Sequence, residues 1–105
     1  MAKDYDPMNL AESDEEARLR HEKVAMLARI ERDDTVWVMR TRQGRRVIYR
    51  ILALAGVWKT SFHTNALQMS FNEGQRNMGL ALLAKLTEYC EDSYALMLKE
   101  HSEDE

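Results

Sequence analysis

One cysteine, Cys90, and one proline, Pro7, stand in a chain of 105 residues that also has only four glycines. A single thiol excludes an internal disulfide framework and a cysteine-based zinc site. It fits a reducing compartment. So little Gly and Pro excludes collagen-like and low-complexity classes. Long apolar runs are missing too. The most apolar stretch, Val47 to Trp58, is interrupted by Arg50 and falls short of the roughly 18–20 residues that span a bilayer. The N-terminus has no apolar core, so no secretion signal is expected and synthesis in the cytoplasm is. His21, His63 and His101 lack metal-ligand spacing. Ser61 lies near His63 in sequence, but no third orienting group or oxyanion loop accompanies the pair. No catalytic residue, metal or cofactor is expected.

What the chain does have is segregated charge. Its formal net charge of -3 hides three blocks. Residues 1–34 carry 10 carboxylates and 6 cations, and residues 73–105 carry 8 and 3. Between them, residues 35–72 hold Arg40, Arg42, Arg45, Arg46, Arg50 and Lys59 and no carboxylate. Such a basic middle either meets an anionic partner or is neutralised by its own acidic flanks. Arg40, Arg42, Arg46, Arg50 and Lys59 are the candidate residues for a partner or for phosphate, since the arginine fork matches phosphate oxygens. The carboxylates of Asp33, Asp34, Glu73 and Glu88 are candidates for internal pairing.

Apolar spacing predicts an all-α fold, a small bundle of four to five helices with an extended arm over 1–12 and an acidic C-terminal tail. Ser13-Asp-Glu-Glu16 reads as a capping box. The helix it starts runs to about Arg32, with a narrow stripe of Ala17, Val24, Leu27 and Ala28. That narrowness predicts a docking helix over 13–32, its stripe facing a neighbour. The helical domain proper is expected over 33–90, and a C-terminal helix and tail over 91–105. Within it, Asp33 or Asp34 would cap a short helix through Met39, and Gly44 would break the chain. A helix over 45–55 follows, with Val47, Ile48, Ile51, Leu52 and Ala55 on one face, ended by Gly56. Residues 57–64 form a loop whose Trp58 and Phe62 are expected to anchor it on the next long helix. Ser70-Phe-Asn-Glu73 reads as a second capping box, starting a helix to about Cys90 that carries Phe71, Met78, Leu82, Leu83, Leu86 and Tyr89. Asp92-Ser93 would interrupt it. Met26, Met69 and Met78 read as core.

On that helix Asn72 and Arg76, and Glu73 and Asn77, are spaced i, i+4. With Arg45 they are expected to form a structural polar network in which Glu73 accepts from Arg45, Arg46 or the 57–64 loop. Gly56-Val57 also gives the chain a helix-turn-helix look, but the residues after it fit a DNA-reading helix poorly.

The ordered strings Arg32-Asp-Asp34, Gly44-Arg-Arg-Val-Ile-Tyr-Arg-Ile-Leu52, Ala55-Gly-Val-Trp-Lys-Thr-Ser-Phe62 and Phe71-Asn-Glu-Gly-Gln-Arg-Asn-Met-Gly-Leu80, with Leu83-Ala84, resemble a small tailed-phage (podovirus-type) virion-associated family, the Bordetella-phage Bbp19-like domain. The resemblance covers about residues 32–86 and leaves 1–31 and 87–105 outside. It implies a protein encoded among virion-morphogenesis genes. That places it, as an expectation, in the host cytoplasm when synthesised and in the virion when assembled. The implied role is structural or accessory and non-enzymatic, at or near the portal, head interior or head–tail junction, with ejection alongside the genome included. Implied partners are portal, capsid or tail components, contacted by several copies. The alternative is a nucleic-acid-binding helical protein that sets its Arg-rich face on DNA.

Overall fold

The computed structural model describes residues 13–104. The arm expected over 1–12 lies outside them. Four helices follow one another: α1 Asp14–Met39, α2 Arg42–Ala55, α3 Ala66–Tyr89 and α4 Glu91–Asp104. No strand occurs among the described residues. The chain divides into two compact units between Glu31 and Arg32.

The first unit holds α1 as far as Glu31. Its start is the expected capping box: the Ser13 hydroxyl accepts from the Glu16 N–H at 3.1 Å, while the Glu16 carboxylate accepts from Ser13 N–H and O–H. Those bonds hold the Glu16 carboxyl below its ordinary range. Arg18 pairs with Glu15 and Glu22, one turn to either side. Val24, Leu27 and Ala28 of the expected docking stripe are exposed, and Ala17 is half-buried.

The second unit holds the rest of α1 with α2, α3 and α4. The separate helix expected from Asp33 or Asp34 does not form, because α1 runs unbroken to Met39. Nothing between Arg32 and Val38 breaks a helix, and Asp33 pairs with Arg32 at 3.5 Å instead of capping. The break comes later. Thr41 caps α2, its hydroxyl accepting from Gly44 N–H at 3.0 Å. Gly44 therefore lies inside the first turn of α2 and does not break the chain. Its bare backbone sits against the end of α1, where a Cβ would overlap the Val38 carbonyl oxygen.

Gly56 ends α2 as expected. It takes φ 79° and ψ 31°, a left-handed conformation that glycine adopts without penalty. Its N–H donates to Ala53 and that of Val57 to Leu52, the two bonds of a Schellman motif. Leu52 and Val57, the apolar pair of that motif, are both core residues. The second capping box is not used: α3 begins five residues earlier, where Asn65 accepts from Gln68 N–H at 3.0 Å. Cys90 alone separates α3 from α4, donating to Leu86 and accepting from Tyr94. The expected interruption at Asp92-Ser93 is absent. Glu91 and Asp92 instead occupy the first turn of α4, as the helix dipole favours.

The core is small. Met39, Leu52, Val57, Leu86 and Met97, one from each helix and one from the turn after α2, are 0–6% exposed. Ile48, Tyr49, Leu83 and Tyr94 are among the side chains packed around them. Gly79 is buried where α3 meets the end of α2: a Cβ there would lie 2.5 Å from Ala55 Cβ and 2.6 Å from Val57 Cγ1.

Two helices turn out to be apolar on both sides. On α2, Leu52 is buried and Ile48 and Ala55 half-buried, while Val47, Ile51 and Leu54 are 45–76% exposed. On α3, Gly79 and Leu86 face inward, whereas Leu67, Phe71 and Met78 are 83%, 65% and 75% exposed. Phe71 and Met78 thus leave the face they were expected to share with Leu83 and Leu86. Met26 and Met69 are exposed as well, so none of the three methionines read as core is core. Trp58 and Phe62 do not anchor the loop on α3 either. Trp58 stacks on Tyr49 of α2 with ring centroids 4.9 Å apart, and Phe62 is exposed.

Candidate functional site: the arginine edge of α2

Arg45 is the one buried charged residue among those described. Its guanidinium holds Glu100 of α4 through two bonds of 2.8 Å, Nε to Oε1 and Nη2 to Oε2. Nη1 donates to the Met39 carbonyl at 2.9 Å, satisfying an oxygen left open at the end of α1. One side chain therefore ties α1, α2 and α4 together. The bidentate bond from Arg45, aided by the charges of Arg42 and Arg46, holds the Glu100 carboxyl below its ordinary range, and the same contact raises the Arg45 value.

Arg42 pairs with Asp104 at 2.9 Å and lies 4.0 Å from Glu100. Two of the cations in the basic middle are thus neutralised by the acidic C-terminus. Glu100 and Asp104 were not among the carboxylates expected to do this. Their place beside α2 follows from helix packing, and no local motif announces it. Arg40, Arg46, Arg50 and Lys59 are exposed. Arg46 and Arg50 line a groove of about 430 Å³ between α2 and α4, floored by Tyr49, Ala53 and Met97, with Glu100 and Asp104 also on its wall. Tyr49 stacks with two rings, Trp58 and the groove's own His101, the latter at 3.8 Å between centroids.

The expected polar network is divided. Arg45 belongs to the Glu100 clamp and not to Glu73. Glu73 accepts from Ser61, in the 57–64 loop as expected, but it is exposed. Asn72 accepts from Gln68 at 2.9 Å, and Gln75 donates to the Leu54 carbonyl at 3.1 Å. Arg76 is half-buried beside Lys59 and Thr60, its Nε without a hydrogen bond, and Asn77 is exposed. The Ser61–Glu73 bond also separates Ser61 from His63, whose Nδ1 accepts from Asn65 N–H at 2.9 Å.

Three further features bear on function. No group of three or more metal-ligating side chains occurs among the described residues. Burial pushes the Cys90 thiol up from its ordinary value, away from the reactive thiolate. Residues 56–65 separate α2 from α3, too long a connection for the three- or four-residue turn of a DNA-reading helix-turn-helix.

The molecule is thus a small all-α protein with a thin core, a clamped arginine and several helix faces open to solvent. The profile of the Bbp19-like phage proteins matches residues 36–99, and the chain belongs to that family. The match extends beyond the resembling strings to take in most of α4, including Met97 of the core. No curated protein and no solved structure matches the chain.

Proposed function

We propose that this phage protein is a non-enzymatic structural or accessory component of the virion, completed by its neighbours at or near the portal, head interior or head–tail junction. One observation carries the reading. Seventeen large hydrophobic side chains among the described residues are exposed, against five buried hydrophobic ones. Scattered exposed apolar residues are ordinary. Here they recur along helix faces, Val24 and Leu27 on α1 and Leu67, Phe71 and Met78 on α3, and contiguous apolar surface marks protein contacts. Synthesis in the host cytoplasm, several copies per particle and partners among portal, capsid or tail proteins belong to the same proposal. No described helix is long and apolar enough to cross a membrane.

The test is to purify particles, identify the chain in them by mass spectrometry and locate it in a reconstruction. Its absence from intact particles would overturn the reading. A second reading, DNA contact, is favoured by Arg46 and Arg50, exposed one helical turn apart on α2. It is weakened by Arg42 and Arg45, which are bound to carboxylates. Salt-sensitive retention of the isolated protein on DNA, lost in an Arg46→Ala/Arg50→Ala variant, would support it.

A further inference from the structure

A second concavity lies where the end of α2 and the loop after it meet α3, and the virion reading makes no use of it. It is a pocket of about 190 Å³ between Lys59, Thr60 and Ser61 of the loop and Asn72, Gln75 and Arg76 of α3. Several of its acceptors are already taken. The Leu54 carbonyl accepts from Gln75 and the Gly56 carbonyl from Lys59 N–H, both at 3.1 Å. Thr60 Oγ1 accepts from Phe62 N–H at 3.2 Å, and Asn72 Oδ1 from the Gln68 amide at 2.9 Å. Its donors are open. Arg76 Nε is buried without a hydrogen bond, which is costly for as long as no acceptor meets it. Neither Arg76 nor Lys59 pairs with a carboxylate among the described residues. The Thr60 hydroxyl and the Asn72 amide nitrogen keep protons to donate. Glu73 reaches this lining by accepting from Ser61, and it does not itself line the pocket.

We propose that this pocket binds a phosphate group, either as the free ion or at the end of a larger molecule. A terminal phosphate carries a charge of about −1.5 to −2 at pH 7 and three strong acceptor oxygens. Two unpaired cations and two neutral donors answer that demand, whereas a carboxylate brings less charge and fewer oxygens. The arginine fork can offer two N–H groups side by side to such oxygens, and the lysine adds a point charge. The loop is also held before any ligand arrives. Lys59 N–H is bonded to Gly56, Thr60 to Phe62 N–H and Ser61 to Glu73. Less ordering is then lost on binding. The backbone of DNA is a poorer match, because each of its phosphates is a diester with a single charge. The site stands independently of the virion reading, and Arg46 and Arg50 line a different groove.

Nuclear magnetic resonance titration of the full chain with sodium phosphate, against sodium chloride at matched ionic strength, tests it. Amide signals of residues 57–62 and 72–76 are expected to shift and saturate with phosphate, with a Kd on the order of 1 mM, and to stay in place with chloride. Lys59→Gln and Arg76→Gln are each expected to weaken binding by about tenfold, and Arg46→Gln/Arg50→Gln to leave it unchanged. Lys59 is exposed, so its variant keeps the test decisive even where circular dichroism shows that Arg76→Gln has lost structure. Glycerol 3-phosphate shifting the same amides assigns the site to a terminal phosphate on a larger molecule. Shifts with inorganic phosphate alone assign it to the free ion. Three results would each overturn the proposal: no saturable shift in these segments, binding indifferent to Lys59→Gln, or dimethyl phosphate, a diester, binding as tightly as inorganic phosphate.

Discussion

Arg45 and Glu100, 55 residues apart in the chain, form a two-bond ion pair at 2.8 Å that joins the start of α2 to the end of α4. Neither residue is near the other in any local pattern, yet together they hold α2 and α4 to each other. The third bond of Arg45, to the Met39 carbonyl, makes the end of α1 part of the same joint.

Removing one partner strands the other. Glu100→Gln keeps the shape but removes the charge, and it is expected to lower Tm by about 5 °C or more. The difference should depend on pH. Because the folded-state value of Glu100 is lowered, its contribution is fully present above the ordinary carboxylate value near 4.3. It is lost as pH falls through the lowered folded value. Thermal melts of wild type and variant should therefore converge on acidification from pH 5 downward. Equal melting temperatures near neutral pH would show that Glu100 acts by shape alone, and a gap that stays constant on acidification would show that its ionisation is not what the variant removes.

The two glycines of α3 are expected to respond to alanine with opposite signs. Gly79→Ala forces a methyl against Ala55 and Val57 and should destabilise by about 1–3 kcal/mol, in spite of the better helix former. Gly74→Ala meets nothing and should stabilise the monomer by about 0.5–1 kcal/mol. Urea unfolding at concentrations where the chain is monomeric reads both.

Ser61→Ala releases the loop after α2 from Glu73. That pair is exposed, so the expected loss is about 0.5–1.5 kcal/mol, well short of the roughly 3–5 kcal/mol of a broken buried ion pair. Amide exchange should quicken over residues 57–64 while the helices keep their protection. A global loss of protection would mean that the loop carries the core.

The part of α1 in the first unit bears on assembly. From Asp14 to Glu31 every residue but Ala17 is exposed, and an isolated helix of this length is marginal in water. Exchange there is expected to be fast in the isolated chain and strongly slowed in particles. Equally strong protection in both would remove the case for a neighbour covering Val24 and Leu27.

Much of the fold is legible in the residues themselves. The capping box at Ser13, the left-handed end at Gly56, the absence of strands among the described residues and the family strings are local properties, set by hydrogen bonds and backbone preferences that span four or five residues. Where local signals compete, reading fails. Ser70 and Glu73 have the spacing of a helix start, but Asn65 caps first and leaves Glu73 to Ser61. Asp33 and Asp34 can cap a helix, but a cap forms only where the chain actually breaks, and it breaks at Thr41.

What the tertiary structure alone decides is which side of each helix is inside and which charges meet. Periodicity gives the angle of an apolar stripe about its axis. On α2 and α3, which are apolar on two sides, it cannot choose between Leu52 and Ile51, or between Leu86 and Met78. That choice is made when α2, α3 and α4 pack, with Gly79 allowing α3 to close on the end of α2. The same packing brings Glu100 to Arg45, because side chains 55 residues apart meet only where two helices have already been placed together.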